Sequence, residues 1–356
     1  MCYTQSRFKA LISACVLSLI ATAGWSQSLT WLGTLSGGNQ SYASDVSADG
    51  ALVVGWAEDD AWLWRAFRWE NGVMQVLGTL GGGGSWANGV SADGAVVVGG
   101  SYNAAAYGRA FRWTASGGMQ DLGTLGGTWS AANAVSADGS VVVGWAWNAA
   151  GFYRAFRWTA AGGMQDLGTL GGVRSEAYAV SADGSVVVGW AWNAAGFYRA
   201  FRWTAAGGMQ DLGTLGGDES AAYGVSADGL VVVGESVDRA FRWTASRGME
   251  DLNTTYASLL TNGSVLWGAY AISPDGRYIA GYGRNAATRR WEAFLLDTGF
   301  PRRGDVDRNG CVDDADLLQV LFAFGGRGYH NEDLNWDGTI DDADLLEVLF
   351  NFGSGC

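Results

Sequence analysis

At 356 residues, with 48% hydrophobic and only 16% charged residues, the chain is long enough for two or three domains. Its 56 glycines and 19 tryptophans, against two prolines, point to short strands joined by tight turns and exclude a proline-rich disordered chain. A formal charge of −13 repels polyanions, so nucleic acid and anionic membranes are set aside as partners.

Residues 1–26 read as a secretory leader. Arg7 and Lys9 make a basic start, and Ala10 to Ala23 is a 14-residue apolar run, too short to span a bilayer. Ala21-Thr22-Ala23 fits a small-x-small cleavage site, with cleavage after Ser26 as the alternative. Ile12-Ser13-Ala14-Cys15 resembles a lipoprotein box, but apolar residues continue past Cys15, which argues against a lipid anchor. No other segment could cross a membrane, so a secreted or cell-surface protein is expected. The leader carries two bases and no acid; its removal takes the formal charge from −13 to −15, of which −8 falls on residues 301–356.

Residues 27–300 repeat themselves. Leu-Gly-Thr-Leu begins at Leu32, Leu77, Leu122, Leu167 and Leu212, each step 45 residues, and a degenerate copy follows at Leu252 after only 40. Ser-Ala-Asp-Gly begins at Ser47, Ser91, Ser136, Ser181 and Ser226, with Ser273-Pro274-Asp275-Gly276 as the sixth. Arg-Ala-Phe-Arg-Trp begins at Arg65, Arg109, Arg154, Arg199 and Arg239. Each unit reads as four strands; in the fourth unit these are Ala177 to Val180, Ser185 to Trp190, Tyr198 to Thr204, and Met209 to Leu215. Ser-Ala-Asp-Gly fits a type I turn that ends in a glycine at positive φ, and Pro274 suits the second turn position.

Four antiparallel strands per 40–50 residues is the size of a propeller blade. The last unit stops at Leu296 without a fourth strand, while Leu29 to Leu35 is a fourth strand without a unit. Placing this N-terminal strand on the last unit would close a mainly β, six-bladed β-propeller and pair both open edges. Another closed blade count or a β-solenoid is the alternative. The Leu-Gly-Thr-Leu-Gly-Gly, Val-Ser-Ala-Asp-Gly and Ala-Phe-Arg-Trp phrases resemble the extracellular HAF-repeat family over about residues 29–297. That family usually has His where this chain has Arg65, Arg109, Arg154, Arg199 and Arg239. The resemblance implies a secreted repeat architecture and no agreed activity.

Residues 301–356 carry two twelve-residue acidic loops, 305–316 and 333–344. Loop positions 1, 3, 5, 9 and 12 are Asp305, Asp307, Asn309, Asp313 and Asp316 in the first, and Asp333, Asn335, Asp337, Asp341 and Asp344 in the second. Glycine stands at position 6 of both, and Cys311 and Thr339 would give backbone carbonyls from position 7. Hard oxygen ligands at this spacing around a sharp turn are the EF-hand pattern, with Asp in place of Glu at position 12, so two calcium ions are expected. Each loop runs into one apolar helix, and no helix precedes either. This paired loop–helix organisation resembles dockerin domains over residues 304–352 and makes the tail a small α-helical, dockerin-like calcium domain. The resemblance implies a cohesin-like partner that would meet loop positions 10 and 11. These are Asp314-Ala315 and Asp342-Ala343 rather than the Ser/Thr pairs common in cellulosomal dockerins. Cys311 and Cys356 are the cysteines left after the leader, and two cysteines in an exported protein are expected to pair.

Several chemistries are excluded. The one histidine is His330, in the tail, so the repeats hold no serine–histidine–aspartate triad. No lysine follows Lys9, which removes Schiff-base catalysis. Carboxylate pairs remain, as in glycoside hydrolysis. The acids outside the repeat pattern are Asp45, Glu58, Asp59, Asp60, Glu176, Asp218, Glu219, Glu235 and Asp238. Residues 136–172 and 181–217 are identical over 37 positions, which speaks against a unique catalytic apparatus inside either unit. The connectors between units differ, and Trp86, Trp129, Arg174 and Glu219 are the candidate ligand rim. The resulting expectation is a secreted, non-catalytic binding or structural protein, whose propeller meets a carbohydrate or cell-surface ligand. The alternatives are a polysaccharide-degrading glycosidase or lyase, and a purely structural surface protein.

Overall fold

The computed structural model describes residues 29–260 and 262–356. The expected leader, 1–26, lies outside the described residues. Residues 34–356 form one compact unit.

Among the described residues the repeats build six successive antiparallel sheets in which neighbouring strands follow chain order. The first blade is β1 (Ser41–Val46), β2 (Leu52–Glu58), β3 (Trp64–Glu70) and β4 (Val73–Val76). The fourth is β13 (Gly171–Val180), β14 (Val186–Asn193), β15 (Tyr198–Thr204) and β16 (Gly208–Asp211). The sixth has only three strands, β21 (Val265–Ile272), β22 (Tyr278–Asn285) and β23 (Arg290–Asp297). In the fourth unit the second and third strands lie where the sequence phase predicts them, while the first begins at Gly171, six residues before the expected Ala177, and takes in the connector.

The Ser-Ala-Asp-Gly turn is tied by its own side chains. The Ser181 hydroxyl accepts from the Val186 amide at 2.9 Å and donates to Asp183 at 2.6 Å, while Asp183 accepts from the Ser185 amide at 2.9 Å. Gly184 closes the turn at φ +71°. These turns also link the blades: the amides of Ala48, Ala92, Ala137, Ala182 and Ala227 each donate to the carbonyl at the matching position one blade later, ending at Pro274. Pro274 has no N–H, so the row cannot continue past the sixth blade.

The core lies between the blades. Leu52, Val54 and Ala66 of the first pack with Ala87, Val97, Phe111 and Trp113 of the second, and the pattern recurs along the row. Phe67, Phe111, Phe156, Phe201 and Phe241 are fully buried, each contributing about 1.5–3 kcal/mol relative to an exposed ring. The second arginine of Arg-Ala-Phe-Arg-Trp reaches forward: Arg112, Arg157 and Arg202 donate through Nε to the carbonyls of Gly139, Gly184 and Gly229, at 3.2–3.3 Å. This motif is therefore interblade packing.

Two expectations need correction. The fourth strand does not run through Leu-Gly-Thr-Leu; β16 stops at Asp211, because Gly213 turns the chain at φ +84°. For the same reason Leu29 to Leu35 forms no strand: Gly33 takes φ +79°, and Leu29 and Trp31 are 80% and 86% exposed. Among the described residues the sixth sheet has three strands.

The tail has its own small core of Val306, Val312, Val320, Ile340 and Val348. Its helices, Asp314–Ala323 and Asp342–Asn351, each begin in a capping box made by Asp313 with Asp316 and by Asp341 with Asp344. Val312 exchanges backbone hydrogen bonds with Gly353 and Ser354, and Cys311 is disulfide-bonded to Cys356, as the cysteine count predicts. No described helix is long and apolar enough to cross a membrane.

Candidate metal centre and interblade cleft

In the first acidic loop, Asp305, Asp307 and Asp316 bring carboxylate oxygens within 4.8 Å of one another. The loop is pre-shaped around them. Asp316, fully buried, accepts from the amides of Val306 at 2.7 Å, Asp307 at 3.1 Å and Asp313 at 2.9 Å. Asp305 Oδ2 accepts from the Gly310 amide at 3.0 Å, whereas its buried Oδ1 has no hydrogen-bond partner. A buried carboxylate oxygen without a donor is costly unless a cation takes it up. Burial, with Asp316 and Asp307 adding to it, raises Asp305 above the usual carboxylate range.

The second loop repeats this geometry. Asp344, fully buried, accepts from Leu334 at 2.7 Å, Asn335 at 3.1 Å and Asp341 at 2.9 Å. Asp333 accepts from Asp337 at 3.1 Å and Gly338 at 2.8 Å. Burial, then Asp344 and Asp337, push Asp333 up to about 6. Gly310 and Gly338, at φ +92° and +86°, make the sharp turn that lets positions 1 and 5 face one centre. Asp307, Asn309, Asn335, Asp337 and Thr339 are exposed, and Asp313 and Asp341 serve as helix N-caps through the amides of Ala315 and Ala343. The donor set, all oxygen and mostly carboxylate, fits a hard divalent cation.

Asp314, Ala315, Asp342 and Ala343 lie exposed at the start of the two helices. Next to them each helix presents apolar side chains outward: Leu318, Leu321 and Phe322 on one, Leu346, Leu349 and Phe350 on the other. The two faces correspond residue for residue, and Phe322 and Phe350 are 86% and 74% exposed.

The four rim candidates are dissimilar in place. Trp86, Trp129 and Arg174 sit within strands β5 (Gly81–Val90), β9 (Gly126–Val135) and β13 rather than in loops. Trp86 meets Tyr102 edge-on at 5.6 Å, and Trp129 meets Tyr102 and Tyr107 at 6.2 and 6.1 Å. The Arg174 guanidinium is held between Tyr153 at 5.1 Å and Trp192 at 5.2 Å. Glu219 instead faces an open cleft of about 360 Å³, together with Phe197, Tyr198, Asp218, Glu235 and Asp238. Burial, and behind it Glu219, Glu235 and Asp238, push Tyr198 up to about 12. Sequence reasoning identified these four acids as non-repeated but did not bring them together. The signal was the short 40-residue step at Leu252, which marks a truncated hairpin in the fifth unit.

No family model matches the chain, and no curated protein matches it. Among solved structures, TolB from Acinetobacter baumannii is similar at 14% identity and a TM-score of 0.44, over 59% of this chain and 53% of that one. The chain thus spans about half the length of that protein. A putative TolB from Agrobacterium tumefaciens is similar at 15% identity and a TM-score of 0.45, over 74% and 91%. A triple arginine-to-alanine mutant of AofleA from Arthrobotrys oligospora is similar at 13% identity and a TM-score of 0.38, over 72% and 83%.

Proposed function

We propose that this is a secreted, non-catalytic binding protein: a six-bladed propeller body that presents ligand-contacting clefts, and a calcium-stabilised, dockerin-like tail that docks on a partner protein. The observation that carries the reading is the buried carboxylate pair in each tail loop, Asp305 with Asp316 and Asp333 with Asp344, where Asp305 Oδ1 has no donor. Such pairs are poorly compensated by amides alone and are well matched to calcium. Each ion would draw on positions 1, 3, 5, 9 and 12 and on the backbone carbonyls of Cys311 or Thr339.

Calcium would fix the two loop–helix units, and with them the mirrored apolar faces beside Asp314-Ala315 and Asp342-Ala343. An exposed apolar face flanked by acids is the composition of a protein-binding surface. Its twofold repetition offers a cohesin-like partner two equivalent approaches. The body supports the binding role through its stacked blades, whose connectors differ while their cores repeat.

The test is calorimetry of the full chain with calcium after chelation. Two ions bound, with heats absent for magnesium at the same concentration, support the reading. Absence of calcium heat together with an unchanged melting profile in chelator would refute the tail assignment.

A further inference from the structure

The interface between the third and fourth blades and that between the fourth and fifth start from the same parts and end with opposite charge. Tyr153 and Tyr198 are equivalent residues of the two identical 37-residue stretches. Against Tyr153 the following connector places Arg174, and the fourth blade's own Trp192 closes the other side of the guanidinium. The cation of that aromatic sandwich is thus supplied from within the chain.

One blade later the connector residue is Glu219, and the equivalent of Trp192 is missing. Gly189 pairs with Phe201 and Gly234 with Phe241 at matching points of the two hairpins. Twelve positions separate the first pair and seven the second, so the fifth blade's hairpin is five residues shorter. It turns through Val237 and Asp238, both at positive φ. The space left is the cleft walled by Phe197 and Tyr198 and bordered by Asp218, Glu219, Glu235 and Asp238. No basic side chain lines it, and among the described residues none of its four carboxylates takes part in an ion pair. Glu235 is held in place by the Tyr223 hydroxyl, which donates to it at 3.0 Å.

We infer that this cleft receives a guanidinium group, an arginine side chain of a partner polypeptide, in the place that Arg174 fills from within one blade earlier. A planar guanidinium stacks on an aromatic ring and pairs with carboxylates through its fork of donors, and it gives up water more readily than an ammonium. The cleft offers both contacts. The shorter hairpin leaves it open to solvent, so an external side chain can enter. This assignment deepens the reading of the body as a binding scaffold and rests on it; it is independent of calcium.

The experiment titrates the full chain with the blocked tripeptide Gly-Arg-Gly by calorimetry, in calcium and again in chelator. The citrulline tripeptide, a neutral isostere, and a glucosamine tetramer are run beside it. Saturable binding of the arginine peptide is expected, weakened about tenfold or more when citrulline replaces arginine, which corresponds to about 1.4 kcal/mol. Glu219→Arg, which installs the internal cation of the preceding interface, is expected to abolish binding, and Glu219→Gln to weaken it severalfold. The Gln variant keeps the test decisive where the Arg variant fails to fold. Equal binding of the citrulline peptide, unchanged binding by a folded Glu219→Arg, no binding up to about 20 mM, or tighter binding of the glucosamine tetramer would each overturn the assignment. Capture of another ligand by the body, with the arginine peptide inert, would leave the scaffold reading standing and remove this one.

Discussion

Arg308, the fourth residue of the first acidic loop, donates a hydrogen bond through Nη1 to Asp228 in the turn of the fifth blade. Both side chains are largely shielded, 17% and 11% exposed. Asp228 spends its other oxygen on its own turn, accepting from Ser226 at 2.5 Å and the Leu230 amide at 3.0 Å, so Oδ2 is available to the tail. Arg308 takes φ +59°, the left-handed conformation also adopted by Trp336 at the matching position of the second loop. An acidic loop of the tail and a blade turn therefore share one ion pair. A double-mutant cycle with Arg308→Ala and Asp228→Ala should show a coupling of about 1–3 kcal/mol in chemical denaturation. Additive effects of the two substitutions would mean that the contact contributes nothing to holding tail and body together.

The acidic loops give a prediction by subtraction. Asp307 and Asp337 are exposed ligand candidates at positions 3 and 5, so alanine there removes a proposed calcium ligand while sparing the buried amide network of Asp316 and Asp344. Asp307→Ala and Asp337→Ala should each lower the calcium stoichiometry from two ions to one at modest concentrations. With free calcium at about 100 times the dissociation constant, each filled site should add about 2.7 kcal/mol to the tail's stability. Variants that still bind two ions with parental affinity would exclude these residues as ligands.

Reduction tests the covalent clasp. The Cys311–Cys356 bond spans a sequence separation of 45 and joins the first loop to the chain end. Cys311→Ser with Cys356→Ser should cost the tail about 2–4 kcal/mol without moving the melting of the blades. Equal losses in both parts would show that they unfold as one cooperative unit.

The end of the sixth blade carries a pH-dependent fork. Arg277 donates to both oxygens of Asp297, at 2.7 and 2.8 Å, and this pairing first of all lowers Asp297 from 3.8 to about 2. Because the folded-state value is depressed, the stabilisation is in place above pH 3.8 and is lost as the pH falls through about 2. Asp297 is 45% exposed, so solvent screening holds the effect to below about 1 kcal/mol. The stability difference between the parent and Asp297→Asn should shrink between pH 5 and pH 2. A constant difference would assign the effect of the substitution to something other than charge.

How much was legible depends on how local the determinants are. The two acidic loops lie within twelve consecutive residues each, so the spacing of their acids and glycines alone outlines the turn and the helix cap that follows. The first three strands are set by Ser-Ala-Asp-Gly and Arg-Ala-Phe-Arg-Trp, whose side chains act on their own turn or on the next blade at a fixed offset. The end of the fourth strand is not legible because Leu-Gly-Thr-Leu has strand-like composition; only the backbone shows that its glycine turns left-handed, as Gly213 does. The interblade occupants were hidden for a different reason. Whether a connector side chain is covered, like Arg174, or left open, like Glu219, depends on the length of a hairpin some twenty residues away in sequence.

The glycines that shape each blade separate into two kinds with different expected costs. Gly168, in Leu-Gly-Thr-Leu, has φ +85° and free space around a would-be Cβ, so Gly168→Ala meets backbone strain but no clash and should cost about 1–2 kcal/mol. Gly144, in the second strand of the third blade, has ordinary strand geometry, but a Cβ there would lie 2.1 Å from the Ala131 carbonyl oxygen and 2.9 Å from the Ala132 Cα. Those atoms are backbone of the adjacent strand and cannot yield without breaking the sheet pairing of Ala131 with Trp145 and Ala132 with Gly144. Gly144→Ala should therefore destabilise the body by more than about 3 kcal/mol, the upper range for overpacking, and Gly168→Ala by clearly less. Denaturation midpoints of the two variants decide it. If Gly144→Ala proved the milder of the two, the first and second strands would not approach each other as closely as this packing requires.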